Sequence, residues 1–161
     1  MGPWANFFLG ELSASAALAG LLFVSLSVNQ GRILELGRMA ERGLEALTML
    51  LLVLIVSSLA LIPAQSPRAF GGEILFVGAL QIVALFFLQR VQWSTLAEDY
   101  RTATLRVFVL CHVAALFVVA SGVTLLWRND WGGLYVLPAG LLLAFITSGM
   151  NAWVLLIEIN R

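Results

Sequence analysis

Five long apolar runs, joined by connections too short to hold a folded domain, leave this chain of 161 residues little choice of solvent. A helix that crosses a bilayer needs about 20 mostly apolar residues. Segments 7–28, 44–62, 74–93, 107–127 and 134–159 reach or approach that length. Inside hydrocarbon every backbone N–H and C=O must be satisfied within the segment, so each run is expected to be an α-helix. Hydrophobic residues make up 61% of the chain, charged residues 11%, and the mean hydropathy is +0.98; a soluble domain could not cover that much apolar surface. The chain is read as one all-α domain over 1–161, an integral membrane helix bundle with five transmembrane helices and the lipid bilayer as its first partner.

The third run is the weakest, because Ile74–Leu88 becomes a full span only when extended through Gln89 and Arg90 to Trp93, with the arginine snorkelling to the interface. Arginine placement argues for that span. All nine basic residues are arginine: Arg32, Arg38 and Arg42 fall in the first connection, Arg90, Arg101 and Arg106 in the third, and Arg161 ends the chain. The second and fourth connections hold Arg68 and Arg128 alone. Five crossings place the group of seven on one face, and losing the third would split it. Basic residues concentrate on the cytoplasmic side, so the N-terminus is expected outside and the C-terminus in the cytoplasm. Trp4, Trp127, Trp131 and Tyr135 then form an outer aromatic belt, with Trp93 at the inner interface.

Local signals complete the layout. Pro63 should stop the second helix, and Gly71-Gly72 and Gly132-Gly133 read as outer turns. Thr95-Leu96-Ala97-Glu98 fits a capping box for a helix running into the fourth span. Gln30 to Gly43 alternates Arg and Glu with Ile33, Leu34, Leu36 and Met39, as a short interfacial helix would. Met1 to Asn6 lacks a positive n-region, and the run behind it is too long for a signal-peptide core, so a retained first helix is expected.

The first span carries the clearest polar pattern. At 100° per residue, Glu11, Ser15, Leu18, Leu22, Ser25 and Asn29 fall within an arc of about 80°. Ser13, Ala16, Ala17, Gly20 and Ser27 lie opposite, with Ala16 and Gly20 a small-xxx-small pair. Such a helix is expected to be surrounded by protein. Glu11 reads either as a proton- or cation-binding carboxylate at the outer mouth of a polar path, or as a headgroup-level carboxylate that is hydrated or bonded to a neighbouring helix. In the fifth span Gly140, Ala144, Thr147, Asn151 and Glu158 share a face, small in its outer half and polar in its inner half. Asn151 wants an interhelical partner. His112, the single histidine, has the titration range of a proton relay and could cluster with Asn29, Asn151 and Glu158. Gln81 and Gln89 could both face the bundle.

Several chemistries are excluded. The net charge is zero, so no basic field awaits nucleic acid. Cys111 has no disulfide partner, and it points about 100° away from His112 on the helix, with no second His or Cys to complete a metal site. No Ser-His-Asp set, phosphate-cradling glycine loop or paired intramembrane carboxylates occur. No cofactor is expected, and the chain is not expected to be an enzyme.

Leu18-Ala19-Gly20-Leu21-Leu22-Phe23-Val24-Ser25-Leu26-Ser27-Val28-Asn29, then Gly31-Arg32-Ile33-Leu34, and on through the second span to Leu61-Ile62-Pro63, resembles a family of small multi-span bacterial inner-membrane proteins. Some members carry the label of modulators of the FtsH protease. The established modulators resemble the Bax-inhibitor family, with seven spans and acidic residues in the closing helices; five spans and no Asp pair stand here. The resemblance thus implies a bacterial inner-membrane location and transfers no catalytic residue. The leading functional expectation is a non-enzymatic accessory or interaction subunit, packing with itself or with a larger membrane complex. The alternative is an oligomeric ion or proton pore lined by the first span.

Overall fold

The computed structural model describes residues 2–35, 39–94, 98 and 101–159, the side chains of 32, 34, 35, 39 and 156–159 excepted. All five runs are helices long and apolar enough to cross a membrane. The order is α1 (Ala5–Val28), the short α2 (Gln30–Glu35), α3 (Met39–Ala60), α4 (Pro67–Ser94), α5 (Arg101–Arg128) and α6 (Leu137–Ile159). The doubtful third run is thus 28 residues of continuous helix. The short helix expected in the first connection is α2, whose Ile33 packs against Leu155 of α6. Thr95, Leu96 and Ala97 of the capping box lie outside the described residues, as do Arg38 and Arg161.

Boundaries follow from local chemistry. α3 ends at Ala60, three residues before Pro63, and its last turn tightens through Leu61 N–H to Ser58 C=O and Ile62 N–H to Leu59 C=O, both at 3.2 Å. α4 begins earlier than hydropathy alone indicates. Ser66 Oγ accepts the Ala69 N–H at 3.2 Å, and Pro67, with no N–H to lose, takes the first helical position. Gly71 and Gly72 therefore lie inside α4, not in a turn. The reason is packing: a Cβ at Gly71 would sit 2.9 Å from Leu125 Cβ and 3.0 Å from the Gly122 carbonyl oxygen, and one at Gly122 would sit 2.9 Å from the Gly71 carbonyl oxygen. In lipid the hydrophobic effect does not drive helices together, so such close approach carries their association. Gly132 and Gly133 do lie in a connection, a single 3-10 turn from Trp131 to Tyr135 capped by Asp130, whose Oδ1 accepts the Gly132 N–H at 2.8 Å.

α3 is the hub, packed on α1, α4 and α6, while α4 and α5 form the closest pair. A continuous apolar core fills the middle of the bundle and its amino-terminal end, the end that holds Ala5, Ala60 and Pro67. It includes Phe8, Val53, Val56, Phe70, Val118 and Leu141, all fully buried. Trp4 meets Tyr135 edge-on at 5.3 Å and ties the start of α1 to the turn before α6. α1 departs from the expectation that protein surrounds it. Phe8, Glu11, Ser15, Ala19 and Leu22 are buried along one seam, whereas Ser13, Ala16, Ala17, Gly20 and Ser27 are exposed.

Candidate functional site: two buried carboxylates

The polar residues gather at opposite ends of the bundle, each group around one carboxylate. At the carboxy-terminal end of α4 the centre is Glu45 of α3, which has no exposed surface. Gln89 and Gln92, three residues apart and so on one face of α4, reach it together. Gln89 Nε2 donates to Glu45 Oε1 at 2.8 Å and Gln92 Nε2 donates to Oε2 at 3.0 Å. The buried Cys111 thiol of α5 lies beside the Glu45 carboxylate and the Thr147 hydroxyl of α6. Thr147 Oγ1 itself donates to the carbonyls of Leu143 and Ala144 at 3.0 Å. An acidic group at the centre of a membrane helix costs about 2.5–3.5 kcal/mol. A hydrogen bond to a charged acceptor returns about 1.5–3 kcal/mol. Two of them offset the burial, and Glu45 becomes a clasp between α3 and α4 with α5 and α6 against it.

Neighbouring groups extend this cluster. Gln81 Nε2 donates to Thr48 Oγ1 at 3.3 Å and lies 3.3 Å from Met49 Sδ, and Ser148 Oγ donates to the Ala46 carbonyl at 3.0 Å. One turn from Glu45 toward the end of the bundle, Arg42 Nη2 donates to Thr104 Oγ1 of α5 at 3.0 Å. Asn151, 3% exposed and one turn from Thr147 on the same face of α6, has a buried Nδ2 with no partner.

At the other end stands Glu11. Gly43 faces Leu26, and Ala19, Leu22, Ala46 and Leu50 share one cluster. This antiparallel register along the α1–α3 seam carries Glu11 to the level of Ser57. Ser57 follows Leu50 by seven residues and so lies on the same face of α3. Glu11 is 9% exposed and Ser57 0%, and neither Glu11 Oε2 nor Ser57 Oγ has a hydrogen-bond partner. Ser15, fully buried one turn along, donates to the Leu12 carbonyl at 3.0 Å. The chain itself therefore covers Glu11.

Of the remaining candidates, Asn29, Ser25 and His112 do not join either group. Asn29 Nδ2 donates to the Ser25 carbonyl at 2.9 Å, closing α1 locally. Ser25 lines an apolar groove of about 220 Å³ between α1, α3 and α6. His112 is half-buried and its Nδ1–H donates to the Phe108 carbonyl at 3.0 Å, so it bonds within its own helix, and Cys111 is the residue that enters the cluster. The Glu158 side chain lies outside the described residues. Among the described residues no three His, Cys, Asp or Glu side chains come together as metal ligands.

The apolar run 44–62 begins at Leu44, which by sequence alone puts Glu45 at the edge of its span. The helix starts at Met39, which carries Glu45 almost two turns inward. The signal for it was the Gln89–Gln92 pair, a doubled amide on one helical face. Ser57 was hidden beside Ser58, whose hydroxyl donates to the Leu54 carbonyl at 2.8 Å, the usual way a membrane helix absorbs a serine. No known family model, curated protein or solved structure matches the chain.

Proposed function

We propose that the protein is a multi-pass subunit of the bacterial cytoplasmic membrane, N-terminus outside and C-terminus in the cytoplasm, that works without enzymatic chemistry by packing with further copies of itself or with a larger membrane complex. The observation that carries this reading is the bare face of α1. α1 rests on α3 along one seam and barely reaches α6. Its opposite face presents Ala16, Ala17 and Gly20, and a Cβ at Gly20 would meet nothing within 4 Å. Gly71, Gly78, Gly122 and Gly140 by contrast each face another helix at close range, while Gly72 and Gly149 are, like Gly20, open. A small-residue face without that neighbour is suited to receive a helix from outside the chain. The asymmetric arginines supply the orientation, and the resemblance of the first third of the chain supplies the membrane.

The pore reading draws less support. Glu11 and Ser15 face α3, so a ring of subunits lined by α1 would bring no charge to its lumen. Within one chain the apolar core separates the Glu45 cluster from Glu11. The test is crosslinking in native membranes. Ala17→Cys, on the bare face, is expected to give adducts larger than the monomer with a short bis-maleimide, and Val83→Cys, on the exposed face of α4, is expected to give none. Equal behaviour of the two, or proton flux through reconstituted protein that falls in Glu11→Gln, would overturn the accessory role.

A further inference from the structure

We propose that Glu11, Ser57 and Ser15 form a binding site for a small alkali cation in the α1–α3 seam. Two observations independent of each other meet there. Glu11 Oε2 is a buried acceptor without a donor, and Ser57 Oγ is a buried hydroxyl without a partner, at the same level of the helix facing it. A buried polar atom that is unpaired costs about 1–3 kcal/mol, and more when the group is charged. Two such atoms at one level of the α1–α3 seam mark a place that a third species completes.

The chemistry of that species follows from the atoms present. All are oxygens, the donor set of hard cations rather than of zinc or copper. The carboxylate supplies a single negative charge, which one monovalent cation balances. No guanidinium does so: among the described residues the ion pairs are Arg101–Glu98 and Arg128–Asp130, both exposed. Of the other charged groups at this end, Arg68 is exposed and Glu73 accepts Gln65 Nε2 at 2.5 Å. The hydroxyl of Ser15, engaged as a donor to Leu12, keeps its lone pairs for coordination. The helical carbonyls nearby are committed to their own ladders, so water completes the shell from the end of the bundle. A cation held here joins α1 to α3 and couples its binding to the way α1 is seated. This goes beyond the accessory role and does not depend on it.

The experiment is a cation titration of thermal unfolding on the full chain in zwitterionic nanodiscs, with choline chloride keeping ionic strength constant. Na⁺ is expected to raise the midpoint in a saturable manner. Glu11→Gln is expected to weaken the apparent Na⁺ affinity by about tenfold or more, the loss of one charge-assisted contact, and Ser57→Ala by severalfold. Glu98→Gln, in an exposed residue of the first exposed ion pair, is the control expected to leave it unchanged. An unfolding midpoint indifferent to Na⁺, a Na⁺ response that survives intact in Glu11→Gln, or a response to pH that is identical in Na⁺ and choline would overturn the site. Should Glu11→Gln fail to fold, Ser57→Ala decides alone: an unchanged Na⁺ response in it overturns the proposal.

Discussion

Glu45 and Glu11 are both carboxylates on membrane-length helices, both are buried, and their surroundings are opposite. Glu45 receives an amide N–H on each oxygen and has a thiol beside it, all from the chain itself. Glu11 keeps an oxygen without a partner, at the level of a serine in the same condition. Burial alone therefore does not separate a structural acid from a binding acid; the balance of donors does. A carboxylate whose two amide donors come from a neighbouring helix clasps the bundle together, and one whose donors are missing is where something else enters.

That contrast orders the expected outcomes. The largest effect should come from stripping the donors and leaving the acid: Gln89→Leu with Gln92→Leu strands the Glu45 carboxylate and should cost about 3–5 kcal/mol, as when a buried charge loses its partner. Chemical or thermal unfolding in detergent reads it directly, and a small loss would show that Glu45 needs no clasp. Next, the glycines extend the contrast between filled and bare surfaces. Gly71→Ala should cost about 1–3 kcal/mol, the usual penalty for overpacking, because its Cβ would meet Leu125 Cβ at 2.9 Å. Gly20→Ala should leave the isolated monomer unchanged, and a measured loss there would reveal a neighbour already on α1. The smallest effect, and of opposite sign, is expected at Asn151. Asn151→Leu removes an unpaired buried donor and should be neutral or stabilising by about 1 kcal/mol, whereas a loss would assign Nδ2 a partner.

The helices were legible in the sequence because hydropathy over 20 residues is a strong signal and the backbone has no alternative in hydrocarbon. The end positions were not, since a helix that continues past the apolar run announces itself only through caps such as Ser66-Pro67. That error of a few residues mattered. It kept Glu45 at a boundary and placed Gly71 in a turn, although both lie well inside helices. The stripes were legible in part: Glu11, Ser15 and Leu22 are buried along one seam while Leu18 of the same stripe is exposed, and Gly140, Ala144, Thr147 and Asn151 are buried on one side of α6, the Glu158 side chain lying outside the described residues. What each face meets was beyond reach, because helix pairing depends on the register between distant segments. Ser57 opposite Glu11, and Cys111 rather than His112 against Glu45, follow from three-dimensional packing alone.

The central claim is that the two acids differ in kind, and one paired measurement tests it most directly. Glu45→Met and Glu11→Met each replace a carboxylate by an apolar side chain of similar length, in the same nanodiscs and in choline chloride without Na⁺. Glu45→Met orphans two amide donors at about 1–3 kcal/mol each and should lower the unfolding midpoint clearly. Glu11→Met removes an unpartnered acid and should leave the midpoint unchanged or raise it. Equal losses in the two variants, or a larger loss at Glu11, would contradict the account.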